Sequence, residues 1–165
     1  MVTDRPDLSV VILCYRSEDA IPNYVEELKV CLKELHIDWE IILVGNYLDG
    51  VEDRTPEIVR SIAAQDPKIK AISKKKEGMM GWDMKLGFEQ SNGHAIAVTD
   101  GDGQFPFEDI GRVYKKLLSG NLDMVKTYRI KRSDGRYRRI LSFVYNLIFK
   151  IFFPGVSCHD VNSKP

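Results

Sequence analysis

Apolar runs rich in β-branched residues alternate along this chain with segments that place apolar residues every three or four positions. The runs predict strands buried on both faces, and the intervening segments predict helices that each cover one side of a sheet. Such alternation restricts the chain to a mostly parallel sheet with helices on both faces. We therefore expect a single α/β domain over residues 1–165, which is long enough to enclose a core.

The apolar periodicity also gives the order of the elements. Strands are expected at 8–15, 39–45, 69–73, 94–99 and 122–128, and helices at 21–35, 55–65, 79–91, 106–118 and 136–153. Thr55 is the expected cap of the second helix, with Pro56 at its first position. The last helix is apolar on almost every face, which fits either a buried core helix or a helix lying in a membrane interface.

Charge and cysteine content exclude several classes of protein. Lys plus Arg and Asp plus Glu both number 24, so we do not expect a general nucleic-acid binder. No signal peptide is expected, and no apolar stretch reaches the roughly 20 residues that span a bilayer. Cys14 and Cys31 lie in apolar patterns and are expected to be buried thiols, and Cys158 makes the number odd. This usage favours a reducing, cytoplasmic compartment.

Two aspartates separated by one glycine follow the fourth predicted strand, in the stretch VTDGDGQ. Asp100 and Asp102 repel one another unless they are hydrated, paired or bound to a cation. Ligands of parallel α/β sheets bind beyond the carboxyl ends of the strands, which is where this pair lies. Mg²⁺ or Mn²⁺ accepts one or two carboxylates together with phosphate oxygens, and Gln104 adds a neutral oxygen donor.

Three other interpretations of the acidic pair compete with a metal–diphosphate site. A calcium-binding EF-hand loop is excluded, because Val98 would take its first ligand position and the preceding segment is a strand. A phosphohydrolase with an aspartate nucleophile fits the spacing, although such sites usually lie near the first strand of a fold. A solvated acidic turn is the third interpretation, because turns favour Asp and Gly. The metal–diphosphate site accounts for the most residues, and the last two alternatives stay open.

The stretch VTDGDGQFPFEDI resembles the D-x-D segment of glycosyltransferase family 2 enzymes, which have the GT-A (Rossmann-like) fold. The similarity covers nearly the whole chain, including VVILCYRSEDAIPNYVEEL, KKKEGMMGWDMKLGFEQSNG, TYRIKRSDGRYRRILSFVYN and DVNSK, and is strongest with the dolichyl- and polyprenyl-phosphate sugar transferases. The resemblance implies metal-assisted, inverting transfer of a sugar from a UDP- or GDP-linked donor to a polyprenyl phosphate. Because family members continue further, it also implies truncation after Pro165.

The same resemblance implies roles for individual residues. Mg²⁺ or Mn²⁺ and the donor diphosphate would be held by Asp100, Asp102 and Gln104. The first two strand ends and a glycine-bearing loop would contact the rest of the donor, through Cys14, Tyr15, Glu18, Asn46 and Gly78. The acceptor phosphate would be contacted by Arg129, Arg138 and Ser142, with Asp160 near it. The expected catalytic set is therefore Asp102, Arg129, Arg138 and Asp160.

The chain also departs from the family pattern. Gly45 and Asn46 stand where the family commonly has two aspartates, which keeps a catalytically silent nucleotide-sugar- or lipid-binding module open as an alternative. Asp83 stands where the family often has a small or basic residue. The run Lys74, Lys75 and Lys76 is expected to be a solvated face. The basic segment 126–139 before the last helix favours anionic headgroups, and hence peripheral contact with the inner membrane face.

Overall fold

The computed structural model describes residues 5–103, 105–127 and 136–155, with side chains in the last range described from residue 140 onward. The elements run in the order β1 (Leu8–Leu13), α1 (Ile21–Glu34), β2 (Trp39–Val44), α2 (Thr55–Gln65), β3 (Ile69–Ile72), α3 (Met80–Glu89), β4 (Ala95–Asp100), α4 (Glu108–Ser119) and α5 (Arg136–Phe152). Strand and helix alternate as far as α4, as the apolar pattern predicts.

The four described strands form one parallel sheet of order β3-β2-β1-β4. The central strands β1 and β2 are buried at every position, which explains why their sequences are nearly continuous apolar runs. The strand registers align Leu13 with Val44 and Asp100, and Val44 with Ile72. The four strands therefore end at one level, and the loops that follow them start at the same edge of the sheet.

Apolar side chains cover both faces of the sheet. Val10 and Ile12 of β1 lie in a large cluster with residues of α1, α2 and α4. Val11 lies in a second cluster, where Met84 and Leu86 of α3 pack against it. Successive residues of a strand point to opposite faces, so one apolar strand supplies both clusters. The expected α/β sheet with helices on both faces is confirmed.

The predicted fifth strand is wrong over its described part. Residues 122–127 form no strand, and Leu122 and Met124 are exposed. Residue 128 lies outside the described residues. An apolar sequence becomes a strand only where a neighbouring strand supplies hydrogen-bond partners and a packed face. Within the described sheet, β4 pairs with β1 alone, so this segment has no strand beside it.

Two helices start at other residues than the sequence predicts, α4 later and α2 one residue earlier. α4 begins at Glu108 rather than at Pro106, whose carbonyl accepts the N–H of Asp109 (3.1 Å) in a preceding turn. Thr55 is the first residue of α2 rather than its cap. Its hydroxyl instead accepts the backbone N–H of Ser17 (3.2 Å), because the loop after β1 lies against this helix end.

α5 exposes most of its apolar surface. The exposed apolar side chains of the helix range from 43% exposure at Val144 to 73% at Phe152. No other element in the described ranges packs extensively against it. The interpretation of this segment as a buried core helix is therefore wrong for the described chain, because no packed neighbour covers it. None of the helices described combines the length and the apolar character needed to cross a membrane.

Glu40 is a buried carboxylate near the amino ends of the strands. Its Oε1 accepts the Ser9 hydroxyl (2.7 Å) and the Asn92 backbone N–H (2.6 Å), and its Oε2 lies 2.7 Å from Nζ of Lys70. Burial by itself raises the pKa of Glu40. The Lys70 ammonium and the other two donors outweigh burial and hold the pKa below its ordinary value of 4.5.

A carboxylate with this pKa makes the stability depend on pH. Because the pKa of Glu40 is lower in the folded chain, its contribution is present above about pH 4.5 and is lost as the pH falls through the folded-state pKa. We expect Glu40→Gln to lower the free energy of unfolding at neutral pH by about 1–3 kcal/mol, and the difference to shrink in acid. Urea unfolding measures both effects, with exposed Glu27→Gln as the control. A difference independent of pH would contradict the role of the charge.

Candidate functional site

The residues that follow the four strands lie together at the carboxyl edge of the sheet. Across this edge, the strand ends run in the order β3, β2, β1, β4. Backbone hydrogen bonds continue the sheet past the strand ends, from Gly45 N–H to the Ile72 carbonyl (2.8 Å) and from Gly101 N–H to the Leu13 carbonyl (2.8 Å). These hydrogen bonds fix the backbone at the edge of the sheet, which is where ligands of such folds bind.

The acidic pair lies at the β4 end of this edge. Asp100 is the last residue of β4 and is partly buried, whereas Asp102 is exposed. Gly101 between them is buried, and a Cβ there would lie 3.2 Å from the Leu13 carbonyl oxygen, so a side chain would crowd β1. Gly103 has φ +73°, in the left-handed region that favours glycine. The two glycines let the chain turn sharply as it leaves the strand.

Tyr24 of α1 packs beside the acidic pair. Its hydroxyl lies 3.2 Å from that of Thr99, the residue before Asp100. Burial raises the pKa of Tyr24, and the hydrogen bond with Thr99 opposes this in part. The negative charges of Asp100 and Asp102 raise the pKa further. Both carboxylates therefore lie close enough to the Tyr24 hydroxyl to affect its pKa. A divalent cation bound to them would relieve their mutual repulsion.

A buried polar cluster, the Asn46–Asp83–Lys76 cluster, lies at the other end of the edge. The Asn46 amide nitrogen donates to Oδ1 of Asp83 (2.7 Å), and its amide oxygen accepts the Lys74 backbone N–H (2.8 Å). Oδ2 of Asp83 pairs with Nζ of Lys76. The side chains of this ion pair are 7% exposed at Lys76 and 6% at Asp83, so both charges are buried.

Lys76 links this cluster to Tyr15, one of the predicted donor contacts. Its Nζ lies 4.6 Å from the centre of the Tyr15 ring, a distance typical of a cation–π contact. The predicted solvated face is correct for Lys74 and Lys75, which are exposed. It is wrong for Lys76, because the carboxylate of Asp83 and the face of Tyr15 compensate its charge away from water.

The two described cysteines are free thiols with different surroundings. Cys14, which the sequence also suggested as a donor contact, has its side chain in the larger apolar cluster, and burial raises the pKa of its thiol. Cys31 was expected to be buried but is only partly so, because it lies on α1 at the border with α4 rather than facing the sheet.

The other described donor-site candidates lie in loops around the edge. Glu18 accepts the backbone N–H of Arg54 through Oε1 (2.9 Å), which ties the loop after β1 to the start of α2. Gly78 packs against Trp82, since a Cβ at residue 78 would lie 2.8 Å from the Cβ of Trp82. Both residues thus shape the loops at the edge of the sheet.

Several predicted site residues cannot be compared with the fold. Gln104, Arg129 and Asp160 lie outside the described residues, as does the side chain of Arg138. Ser142 lies on α5, where its carbonyl accepts the side-chain amide of Asn146 (2.7 Å). Their assignments to the metal and the acceptor stay predictions.

The acidic pair fits a cation that arrives with a phosphate ligand. Within the described ranges, no group of three or more His, Cys, Asp or Glu side chains is arranged to hold a metal ion. Mg²⁺ typically takes one or two carboxylates and completes its shell with water and phosphate oxygens. Asp100 and Asp102 supply that number of carboxylates at the carboxyl edge of the sheet.

The burial of Lys76 was not predicted from the sequence, and Asp83 had no predicted role. A signal was present in α3, where Asp83 and Gly87 are four residues apart and so share one face. Gly87 packs tightly on the sheet, because a Cβ there would overlap the side chain of Val11. A residue one turn before such a glycine faces the sheet as well, which is why the Asp83 carboxylate is buried.

Comparison with known proteins gives a consistent result. The model of the family named Glycosyl transferase family 2 matches residues 9–158. An undecaprenyl-phosphate 4-deoxy-4-formamido-L-arabinose transferase of Pectobacterium carotovorum is 32% identical over 152 residues, which cover 91% of this chain and 45% of the relative. Proteins of the same name are 32% identical over 155 residues in Pseudomonas aeruginosa (93% and 44% covered) and 34% identical over 140 residues in Photorhabdus laumondii (84% and 42%).

The chain thus spans less than half the length of these curated relatives. The match nevertheless runs through all four strands and both ends of the carboxyl edge. The parallel sheet with helices on both faces is the α/β arrangement of a GT-A-like fold. This chain belongs to glycosyltransferase family 2.

Proposed function

We propose that this chain is the donor-binding catalytic part of an inverting glycosyltransferase, which moves a sugar from a nucleotide-sugar to a polyprenyl phosphate. The residues gathered at the carboxyl edge of the sheet are the observation that supports this proposal. Asp100 and Asp102 end one strand, while Tyr15 and the Asn46–Asp83–Lys76 cluster follow its neighbours. A nucleotide-sugar needs a charged subsite for its diphosphate beside an aromatic subsite for its base, and this edge offers both.

The donor is held by charge at one end and by packing at the other. Asp100 and Asp102, together with Gln104, would hold Mg²⁺ or Mn²⁺, and the bound cation would neutralise charge on the leaving diphosphate. Tyr15 packs against the base, as its half-buried ring at the end of β1 allows. Catalysis then consists of positioning and of neutralising charge, rather than of covalent chemistry by the protein.

The acceptor supplies the nucleophile. A phosphate carries negative charge at neutral pH, so the reaction requires no strong general base. One acceptor oxygen bonds to the anomeric carbon while the bond from that carbon to the donor diphosphate breaks, and the nucleoside diphosphate leaves with the electron pair. Attack from the opposite face inverts the anomeric centre. Arg129, Arg138 and Ser142 hold the acceptor phosphate, with Asp160 beside it, because the planar arginine fork suits phosphate oxygens.

The names of the relatives support a lipid-linked acceptor, since each is an undecaprenyl-phosphate sugar transferase. Such an acceptor requires the site to work at a membrane surface. α5 exposes a large apolar surface directly after the segment 126–139, which contains seven basic residues. Apolar side chains enter the interface while Lys and Arg attract anionic headgroups. We therefore place this part of the protein at the cytoplasmic face of the inner membrane, with α5 in the interface.

Replacing Ile148 and Phe152 by Asp is expected to weaken binding to phosphatidylglycerol-containing vesicles by about tenfold or more. These exposed side chains are one helical turn apart, and each is worth about 1.5–3 kcal/mol when removed from water. Vesicle co-sedimentation measures the bound fraction. Leu118→Asp, at an equally exposed apolar residue of α4, is the matched control. Unchanged sedimentation of the α5 variant would contradict the interfacial helix.

Sugar transfer itself tests the proposed function. The protein is incubated with UDP- or GDP-linked sugars, undecaprenyl phosphate in mixed micelles and Mn²⁺, and lipid-linked sugar is detected by mass spectrometry. We expect a product with inverted anomeric configuration that forms only when the cation is present. Phosphate release from a simple phosphomonoester, without transfer, would favour the phosphohydrolase instead. Donor binding with neither transfer nor hydrolysis would indicate a silent binding module.

A further inference from the structure

We infer that Tyr24 is a positioning residue for the cation site, because its hydroxyl holds, through Thr99, the start of the turn that carries Asp100 and Asp102. The carboxylates bind the cation, and Tyr24 sets the backbone from which they extend. This inference rests on the proposed function, since it assumes that the acidic pair holds a divalent cation. It goes further by naming a buried residue of α1 that controls how tightly the cation is bound.

Two buried hydroxyl groups lie next to the acidic pair. Tyr24 is near the start of α1 and Thr99 is the last residue but one of β4, and their hydroxyl oxygens are 3.2 Å apart. The Thr99 hydroxyl makes a long hydrogen bond to the Asp100 carbonyl (3.5 Å). Because a threonine hydroxyl has one proton, the Tyr24 hydroxyl donates to Thr99 when Thr99 donates to Asp100. The hydrogen bonds thus run from α1 to the backbone of the acidic pair.

The turn after β4 benefits from this attachment. Gly101 N–H donates to the Leu13 carbonyl (2.8 Å), which fixes the turn on the β1 side. In the sheet of the described residues, β4 has no strand on its other side. Gly101 and Gly103 also leave the unfolded turn more conformations to lose than other residues would. The contact of Tyr24 with Thr99 is therefore a second attachment, made from the helix layer rather than from a strand.

The core does not need the two hydroxyl groups. Tyr24 lies in the larger apolar cluster, where a phenylalanine ring would fill the same space except for one oxygen atom. Valine likewise has the shape of Thr99 without its hydroxyl. Replacing both partners of a buried hydrogen bond by apolar groups of the same shape is nearly neutral for stability. The hydroxyl pair is therefore better explained by the turn that it holds than by the stability of the fold.

A turn held in one conformation binds a cation more tightly than a turn that must first be ordered. The free energy of ordering Asp100 and Asp102 is subtracted from the free energy of binding, unless the fold has already ordered them. Groups that orient metal ligands without touching the metal typically change metal affinity by about 10- to 100-fold when they are removed. The hydroxyl of Tyr24 is such a group, acting through Thr99.

Binding of Mn²⁺ to the protein, measured by electron paramagnetic resonance with UDP and, separately, with GDP, tests the inference. We expect Tyr24→Phe and Thr99→Val each to weaken Mn²⁺ binding by about tenfold. Thr99→Ser keeps a hydroxyl and should bind Mn²⁺ as tightly as the wild type. Tyr114→Phe is the matched control and should leave Mn²⁺ binding unchanged. It removes the hydroxyl of another buried tyrosine of the larger apolar cluster, which lies on α4.

Amide hydrogen exchange in the absence of any cation gives a second readout. The Gly101 N–H reports how firmly the turn is held, because it is hydrogen-bonded to Leu13. We expect this amide to exchange faster in Tyr24→Phe and at the wild-type rate in Tyr114→Phe. The double variant Tyr24→Phe/Thr99→Val leaves neither hydroxyl without its partner. It should fold, bind Mn²⁺ weakly and give the same answer if a single variant does not fold.

The outcomes separate this inference from the proposed function. Wild-type Mn²⁺ affinity in the double variant, or an unchanged exchange rate of Gly101 in Tyr24→Phe, would overturn the role of Tyr24 and leave the proposed function standing. Equal weakening by Tyr24→Phe and Tyr114→Phe would overturn it as well, since the effect would then come from the core in general. A folded wild type that binds no Mn²⁺ with either nucleotide would overturn the proposed function, and this inference with it.

Discussion

Asp102→Asn is expected to reduce sugar transfer by about a hundredfold or more without unfolding the protein. In the proposed mechanism, this carboxylate holds the cation that stabilises the charge developing on the leaving diphosphate. Removing one group of this kind typically lowers the rate on the order of 10²–10³-fold. Asp102 is exposed, so the change leaves no buried charge behind. The loss should therefore appear in the transfer rate and not in the free energy of unfolding.

The measurement is kcat/KM for transfer at increasing Mn²⁺ concentration. Asp100→Asn should show a loss of similar size, because the proposal has the two carboxylates share the cation. Additional Mn²⁺ should recover part of the activity of either variant. Glu27→Gln removes the same charge from an exposed position on α1 and should leave the rate unchanged. If Asp102→Asn is as active as Glu27→Gln, the acidic pair does not hold the donor.

Asp83→Ala is expected to lower the free energy of unfolding by about 3–5 kcal/mol, because it leaves a buried ammonium without its carboxylate. The side chains of Lys76 and Asp83 are 7% and 6% exposed, so water cannot compensate. The ion pair of Lys75 with Asp49 is the natural comparison, with side chains 62% and 64% exposed. Asp49→Ala should therefore change the free energy of unfolding much less than Asp83→Ala.

Urea unfolding of the two variants measures this difference. Adding Lys76→Met to Asp83→Ala removes the uncompensated charge and should restore a large part of the lost stability. Equal losses for Asp49→Ala and Asp83→Ala would mean that the buried pair is hydrated like the exposed one. No recovery in the double variant would show that the loss comes from packing rather than from charge.

The architecture was predictable because each described strand can be recognised from its own sequence. β1 and β2 must be apolar at nearly every position, since both of their faces are covered. The site of the acidic pair was predictable for a similar reason. An Asp-Gly-Asp stretch after a buried strand can only leave a parallel sheet at its carboxyl edge, and the structure places Asp100 at the end of β4.

The surroundings of a segment were harder to predict than its conformation, because they depend on distant neighbours. Residues 122–127 have the composition of a strand but no strand beside them in the described sheet. α5 has the composition of a core helix, yet its apolar side chains are exposed. Apolar character shows that a segment must be covered, and it does not say by what.

The sequence by itself determined the four described strands, the helices, the sheet faces and the carboxylates at the edge, because these follow from the pattern along one segment. Only the tertiary structure determined that the ammonium of Lys76 is buried at this edge. Lys76 is the third of three consecutive lysines, and nothing local distinguishes it from Lys75. Its burial depends on Asp83 of α3 and on Tyr15, which lies far away in sequence in the loop after β1, and such electrostatic compensation exists only once the chain has folded.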